Sequence, residues 1–402
     1  MSQETAPASP FRGEVKALFQ AAMVVFLVTI FIGVLNGLDL IEFARPTLLT
    51  HVHAGTLGWI TLCVLGAALW LFSPGASAEG RHALYIRGLT WVAIVATAFY
   101  VLTFLLNNAT ARPVAGSLVL GAILGFLAWV VVRSRQITLT VPHLAILAAL
   151  TTLAIGAVLG VLLQVYLAGS ARFLPQGAFG SHPATMVTGY LILAGMAVTE
   201  WRLTGGGARA PISRLGVAQV ALPFLGGLAL LVGTLADIFA LIALIVPCQV
   251  LGVLIYLGRL RPQLARIHWF AGGNERLFGL SAVFLAVNVG MIAYLIASYA
   301  NRFDEVPAWL FFALDHAVFI GVMTNGLLGL VYEVSRARRS FWPWVDHVLF
   351  WGMNIGMVGF VSGLIVQEAA LKRAFTPVMG TSILLALLTY TLRLQTKTKQ
   401  AG

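Results

Sequence analysis

The chain has 402 residues, of which 59% are hydrophobic and only 10% are charged, and its mean hydropathy is +0.93. Soluble globular proteins carry about 25% charged residues, so this composition excludes both a water-soluble fold and intrinsic disorder. The net charge of +11 does not indicate a nucleic-acid partner, because the basic residues lie between apolar runs and form no stripe. The sequence predicts an all-α integral membrane protein in contact with a lipid bilayer.

Twelve apolar runs are long enough to cross a bilayer as helices, which takes about 20 residues each. The seventh and eighth are separated only by a short turn at Asp237. The first run is too long for the core of a signal peptide and lacks a small-residue cleavage site, so we expect it to be retained. The predicted spans are 17–39, 49–73, 86–106, 113–133, 143–168, 182–202, 213–236, 238–258, 278–300, 308–333, 343–367 and 373–394.

The distribution of lysine and arginine gives the expected orientation. With the N-terminus in the cytoplasm, 19 of the 25 basic residues fall in cytoplasmic segments, where positive charge is favoured. We therefore expect a multi-pass protein of a bacterial-type cytoplasmic (inner) membrane with both termini inside. The six basic residues of the outer loops are Arg45, Arg112, Arg172, Arg302, Lys372 and Arg373.

Histidine-containing segments open the second, sixth and tenth spans. His51 aligns with His182, since each is followed seven residues later by a glycine and then an aromatic residue, and His53 aligns with His316. The intervals from His51 to His182 and from His182 to His316 are 131 and 134 residues, close to a third of the chain. We predict a single membrane domain of three four-helix pseudo-repeats, bounded at about 1–135, 136–265 and 266–402. The segments read THVHAGTLGW from Thr50, SHPATMVTGY from Ser181 and DHAVFIGVMT from Asp315.

These four histidines enter the predicted bilayer from its outer face. An imidazole there is costly unless it is paired, so it is a functional candidate that can bind a metal or heme iron or transfer protons. Proton relays need carboxylates along a path, and here only Asp315 is adjacent to a histidine of the cluster. Ligation of iron is therefore favoured.

The H-x-H pair of the second span addresses two different neighbours, because residues two apart on an α-helix differ by about 200° in direction. In one arrangement His53 faces His316 and forms a bis-imidazole heme site, while His51 faces His182 and forms a second heme or copper site. The sequence leaves open which of the two pairs with His316. It also leaves a structural alternative for each ring, an interfacial position above all for His51 and for His182, which precedes Pro183.

The other polar residues have mainly structural interpretations. Lys372 and Arg373 can pair with heme propionates or with lipid phosphates. Glu200 and Glu333 are expected in caps or ion pairs, and the mid-span amides Asn325 and Asn354 in contacts between helices. The remaining histidines are expected on the cytoplasmic side, the first three solvated and the last in contact with Asp346: His82, His143, His268 and His347.

The pattern of histidines on helices 2, 6 and 10 of twelve resembles subunit I of the heme–copper oxidase and nitric oxide reductase superfamily. The resemblance implies a low-spin heme held by His53 (or His51) and His316, and a copper ligand in the His182-Pro183 motif. It also implies heme propionates bound by Lys372 and Arg373. The segments HVHAGTLGW and HAVFIGVMTNGLLGL are closer to the NnrS-type heme- and copper-containing membrane proteins linked to nitric oxide stress.

The chain departs from the oxidase pattern at the binuclear centre. The seventh span has Leu235-Ala236-Asp237 where oxidases have two adjacent histidines, and helix 10 has one histidine rather than two. Met186 stands where a tyrosine would follow His182, and Ala54 replaces the acidic residue of NnrS-type proteins. A complete heme–copper centre is therefore not expected, and whether the chain is an enzyme stays open.

The resulting hypothesis is a heme-binding membrane protein with at least one b-type heme near the outer face. It would act in electron transfer, nitric oxide-related redox chemistry or metal handling, with an electron-donor protein as a candidate partner at the outer face. A bis-histidine iron has no open position for nitric oxide or oxygen. The alternatives are a twelve-helix secondary transporter without a cofactor and a structural or assembly subunit with degenerate ligand positions.

Overall fold

The structure, a computed structural model, describes residues 9–169, 173–205, 212–299, 302, 305–335 and 341–395. All regular secondary structure in these ranges is helical. Seven of the basic residues used for the predicted orientation lie outside the described residues: Arg172, Arg209, Arg336, Arg338, Arg339, Lys397 and Lys399.

Long helices account for nearly the whole described chain, and the protein is an all-α polytopic membrane protein. Eleven of the helices are long and apolar enough to cross a bilayer, and the run 178–203 is the other long helix of the described residues. Asp237, with a φ of 54°, separates α7 from α8. In chain order the helices are α1 Arg12–Gly37, α2 Arg45–Phe72, α3 Gly80–Leu105, α4 Ala111–Ser134, α5 Val141–Ala168, α6 178–203, α7 Arg214–Ala236, α8 Phe239–Leu264, α9 Glu275–Tyr299, α10 Ala308–Ser335, α11 Val345–Ile365 and α12 Ala369–Gln395.

Helices α2 and α10 are the most deeply buried of the candidate spans. In each of them 78% of the most apolar stretch lies inside the protein, against 33–56% in the other nine. Most of the exposed large apolar side chains of the described residues belong to those other helices, for example Trp91, Leu118 and Leu254. The histidine-bearing helices are therefore central.

Helices α2, α6 and α10 each contain a π-helical stretch that begins within three residues after a histidine: Ala54–Thr61, Thr185–Leu191 and Ala317–Thr324. π-Helical turns are rare and occur often at functional sites. In two of them a threonine hydroxyl donates to the carbonyl oxygen five residues earlier, from Thr61 to Thr56 (2.9 Å) and from Thr324 to Phe319 (2.8 Å).

The same threonines join the three central helices. Trp59 Nε1 on α2 donates to Thr324 Oγ1 on α10 at 3.0 Å, and the Tyr190 hydroxyl on α6 donates to Thr61 Oγ1 on α2 at 3.1 Å. All four side chains are buried. These bonds fix the register of the central helices just below the histidines.

The predicted polar contacts between helices are confirmed. The amides of Asn325 on α10 and Asn354 on α11 bond reciprocally, at 2.8 and 3.1 Å. Both glutamates form ion pairs that hold neighbouring helices together at the end opposite the histidines, namely Glu200–Arg259 and Glu333–Arg202.

Helices α11 and α12 pack with their backbones in close contact, because glycines of α11 face α12. A Cβ atom placed on Gly356 would lie only 2.7 Å from the Cα atom of Met379. Small residues permit such approach between membrane helices, where packing rather than hydrophobic burial drives association.

We expect Gly356→Val to destabilise the protein by about 1–3 kcal/mol, the usual cost of overpacking. The matched control is Gly121→Val in the middle of α4, where no other side chain or backbone lies within 4 Å of the added Cβ. Melting in detergent, followed by size-exclusion chromatography, should show a lower midpoint for the Gly356 variant than for the control. Equal midpoints would contradict the packing role of Gly356.

Candidate functional site

The four histidines of the three central helices lie at one end of the helix bundle, the end at which α2, α6 and α10 begin. We call it the histidine end. His51 and His53 lie on α2, His182 on α6 and His316 on α10, and each side chain keeps part of its surface accessible. Accessible imidazole within a bundle of membrane helices indicates space beside the ring.

Every one of these rings has a fixed tautomer. A carbonyl oxygen only accepts hydrogen bonds, so the Nδ1 atom bonded to it carries the hydrogen and the neutral ring keeps its lone pair on Nε2. That is the form in which an imidazole binds a metal through Nε2, with the carbonyl as the outer partner. The four bonds run from His51 to Thr29 (2.8 Å), from His182 to Gly156 (2.9 Å), from His53 to Leu49 (2.7 Å) and from His316 to Phe312 (2.7 Å).

Two of the histidines, His51 and His316, line a common cavity of about 380 Å³ enclosed by α1, α2, α10, α11 and α12. The wall is mostly apolar, with Asp315 and Lys372 among its few charged side chains. Such a cavity, with few convergent polar groups, is typical of small-molecule and cofactor sites. We call it the α2/α10 cavity.

Of the two arrangements that the sequence left open, the structure has His51, rather than His53, on the same cavity wall as His316. Helix α1 packs against the His51 side of α2, and its Thr29 carbonyl holds the ring. A Cβ atom on Gly33, one turn further along α1, would lie 2.9 Å from the ring, so glycine makes the space that the imidazole fills.

His53 points instead toward α3. Its ring stacks on Phe104 with centroids 4.1 Å apart and meets the edge of Tyr100 at 5.5 Å. It is within electrostatic range of His182 on α6, whereas the arrangement with His53 toward His316 had placed His51 there.

Lys372 and Arg373, which were expected to bind heme propionates, are hydrogen-bonded to an acidic residue that was not predicted from the sequence. Asp39, in the turn after α1, accepts hydrogen bonds from Lys372 Nζ at 2.5 Å and from Arg373 Nε at 2.8 Å. Lys372 also lines the α2/α10 cavity, whereas Arg373 is the more exposed of the two. These hydrogen bonds hold the pKa of the Asp39 carboxyl below its ordinary value.

Among the other histidines, the expectation that His143 is solvated is wrong. His143 is buried because it completes the capping box of α5 with Thr140, and its Nε2 lies 3.2 Å from the Leu71 carbonyl oxygen. His82 accepts a hydrogen bond from Trp129 Nε1 at 2.9 Å, and His268 is exposed.

The expected contact of His347 with Asp346 also differs. His347 lies beside Arg276, with Nδ1 and Nη1 3.3 Å apart. Asp346 instead pairs with Arg393 at 2.8 Å, because the buried guanidinium of α12 reaches its carboxylate.

Two signals in the sequence identify further residues of the site in retrospect. The interval from Thr29 to Gly156 equals that from Gly33 to Gly160, so the carbonyl acceptors and the glycines that contact His51 and His182 have the same spacing on α1 and α5. Arg112 follows Asn107 by five residues, as Lys372 follows Gln367, and Asn107 and Gln367 both have positive φ. The basic residues of both helix starts are therefore equivalent.

Within the described ranges no group of three or more His, Cys, Asp and Glu side chains converges on a point that would suit a metal ion. Two imidazoles suffice for heme, because the porphyrin supplies four of six iron ligands and the protein only the axial ones. The residues of the α2/α10 cavity therefore fit a bis-histidine heme. Comparison with protein-family models and with curated proteins finds no match.

The Asp39 ion pairs predict a pH dependence. Since the folded-state pKa of Asp39 lies below 3.8, the pairs stabilise the protein above that pH and their contribution is lost as the pH falls through the folded-state pKa. We expect the melting temperature of the wild type to drop toward that of Asp39→Asn as the pH is lowered below about 4, and the gap at neutral pH to shrink in high salt. Parallel curves for the two proteins, measured in detergent, would contradict these pairs.

Proposed function

We propose that this protein is a heme-binding electron-transfer protein of the oxidase subunit I-like fold. His51 and His316 are the axial ligands of a b-type heme in the α2/α10 cavity. The observation that carries the proposal is the pair of imidazoles from two helices, both with Nδ1 engaged and Nε2 free, on the wall of one mostly apolar cavity of about 380 Å³.

The proposal includes three pseudo-repeats of four helices. It is supported by the matching contacts of α1–α2 and α5–α6, where a histidine Nδ1 bonds to a carbonyl of the preceding helix in the same register. The π-helical stretches of α2, α6 and α10 also follow their histidines in the same way. Positive φ angles at Asn107, Asp237 and Gln367, at equal intervals, support it further.

The chain's own groups hold, orient and shield the cofactor. The Thr29 and Phe312 carbonyls orient the imidazoles of His51 and His316, and Lys372 provides a positive charge at the cavity wall for a propionate. Heme supplies a one-electron couple when it is bound. The mostly apolar wall of the cavity favours neutral imidazoles, the form in which histidine binds iron.

Electron transfer is favoured over reaction with nitric oxide or oxygen. A heme held by both His51 and His316 would have no open coordination position, so reaction with a diatomic gas would require one imidazole to leave. The ring of His51 is held by a carbonyl of another helix, and Gly33 fits closely around it, so its displacement would require α1 and α2 to separate. The expected partner is an electron-donor protein at the histidine end, in the cytoplasmic-type membrane predicted from the charge distribution.

The test is a reduced-minus-oxidised visible spectrum with a pyridine hemochrome assay on detergent-purified protein. We expect His51→Ala and His316→Ala each to abolish the low-spin signal of this heme, because one axial ligand is removed. His268→Ala is the matched control, since His268 is exposed and distant from the histidine end, and it should leave the spectrum intact.

Equal spectra from His316→Ala and His268→Ala would refute the ligand assignment. A colourless, metal-free preparation after heme-supplemented expression would refute the heme protein altogether and favour a cofactor-free transporter. Stoichiometric copper measured in the same sample would instead favour a heme- and copper-containing protein of the NnrS type.

A further inference from the structure

The contacts that hold His51 recur around His182. His182 Nδ1 donates to the Gly156 carbonyl of α5 at 2.9 Å, and a Cβ atom on Gly160 would lie 2.8 Å from the ring. Gly156 and Gly160 stand to His182 as Thr29 and Gly33 stand to His51. The ring of His182 is therefore oriented by a carbonyl, and given space by a glycine, in the same way as the ring of His51 in the α2/α10 cavity.

The surroundings of His316 recur around His53. Both rings bond through Nδ1 to the carbonyl four residues earlier on their own helix. His53 lies against Tyr100 and Phe104 near the end of α3, and His316 lies against Phe360 near the end of α11, at 4.7 Å. Stacking on the face of an imidazole leaves Nε2, which lies in the ring plane, free to bind.

A cation completes each set, and the one beside His53 lacks an anionic partner. Arg112 begins α4 as Lys372 begins α12, and its guanidinium lies over the Phe104 ring at 4.4 Å. Its side chain is 9% exposed, its Nη2 bonds to Asn107, and its Nε is buried without any acceptor among the described residues. No carboxylate of those residues pairs with it, in contrast to Lys372 and Asp39. A buried cation in a membrane protein is costly unless an anion compensates it.

The third set of equivalent positions carries none of this chemistry. Leu314 stands two residues before His316, where His51 precedes His53, and Ala184 stands two residues after His182. On α9, Asn288 donates to the Leu314 carbonyl as Thr29 donates to the His51 carbonyl. One turn further along α9 is Ile292, where α1 has Gly33. Ile242 follows Asp237 by five residues, in the place of Arg112 and Lys372. Between α6 and α10, therefore, the two histidines, the glycine and the basic residue are all replaced together. At the α2/α10 cavity and between His53 and His182 all of them are present.

From this matched set of contacts we infer that the protein holds a second b-type heme, between His53 and His182, with a propionate bound by Arg112. The inference rests on the proposed heme of the α2/α10 cavity, since both sites use the same chemistry. Two imidazoles without a third protein ligand favour heme over a bare copper or zinc ion, which requires more ligands from the protein. We call this the α2/α6 site.

The two sites share helix α2 but use opposite sides of it. His51 belongs to the α2/α10 cavity and His53 to the α2/α6 site, with only Val52 between them. The α2/α6 site combines His53, its aromatic neighbours and Arg112 of the first repeat with His182 and Gly160 of the second. The α2/α10 cavity combines His316, Phe360 and Lys372 of the third repeat with His51 and Gly33 of the first. A pair of hemes on one helix provides a short path for electrons along the membrane plane.

The test is the heme content of the full chain, measured by pyridine hemochrome against protein and iron. We expect two hemes in the wild type and one in His182→Ala and in His53→Ala, with the α2/α10 heme retained. A variant that aggregates is replaced by His182→Gly, in which added imidazole should restore the second low-spin heme. His268→Ala again serves as the control and should keep two.

The outcomes separate the two proposals. One heme per chain that is lost in His316→Ala and kept in His182→Ala overturns the second site and leaves the proposed function intact. No heme in any preparation overturns both. Two hemes in both the wild type and His182→Ala overturn His182 as a ligand.

Arg112→Leu tests the propionate contact independently of the axial ligands. We expect the variant to release the second heme about tenfold more readily to apomyoglobin, the order of loss seen when a supporting contact of a bound metal is removed. Leu118→Ala on the lipid-exposed face of α4 is the control. Equal release rates in Arg112→Leu and the control would overturn the role of Arg112.

Discussion

The site depends on one kind of bond, from the Nδ1–H group of a histidine to a backbone carbonyl oxygen. Inside a bilayer an imidazole must be neutral and must place its one N–H group on an acceptor, and this bond meets both demands. It also decides where the lone pair points. For His51 and His182 the acceptor belongs to the preceding helix, so the packing of α1 on α2 and of α5 on α6 orients the ligands. The packing of the helices and the direction of the histidine lone pairs are therefore set by the same contacts.

The arrangement explains why α2 carries H-x-H while α6 and α10 carry single histidines. In the proposed three-repeat architecture each candidate site takes one histidine from each of two repeats, the first and third for the α2/α10 cavity and the first and second for the α2/α6 site. Helix α2 takes part in both sites, with His51 on one side and His53 on the other, whereas α6 and α10 each take part in one. At the third position Leu314 and Ala184 fill the corresponding places with apolar side chains.

Much of the fold was predictable, because the length of apolar runs is dictated by bilayer thickness and needs no knowledge of packing. The same holds for the divergence of His51 and His53, which follows from helix geometry. Which neighbour each one faces was not predictable, since it depends on the side on which α1 packs. That side is marked only by Thr29 and Gly33, two ordinary residues of an apolar helix.

Buried polar networks were also beyond the reach of sequence patterns. His143 looked like a loop residue at the start of a span, but the capping box with Thr140 places it in the interior. Asp39 is one of several acidic residues near span ends, and only the return of α12 to α1 brings it to Lys372 and Arg373.

The two cations differ in a way that distinguishes the two sites physically. Lys372 already has a carboxylate partner, so a heme propionate at that position would have to compete with Asp39, whose pairing is exposed to solvent and screened by salt. Arg112 has only an amide oxygen and an aromatic face, and its Nε has no acceptor in the described structure. An anion arriving there displaces no existing ion pair and relieves the cost of a buried charge. Electrostatics therefore favours a propionate more strongly at Arg112 than at Lys372. The sequence alone does not distinguish the two residues, since both are basic residues of predicted outer loops.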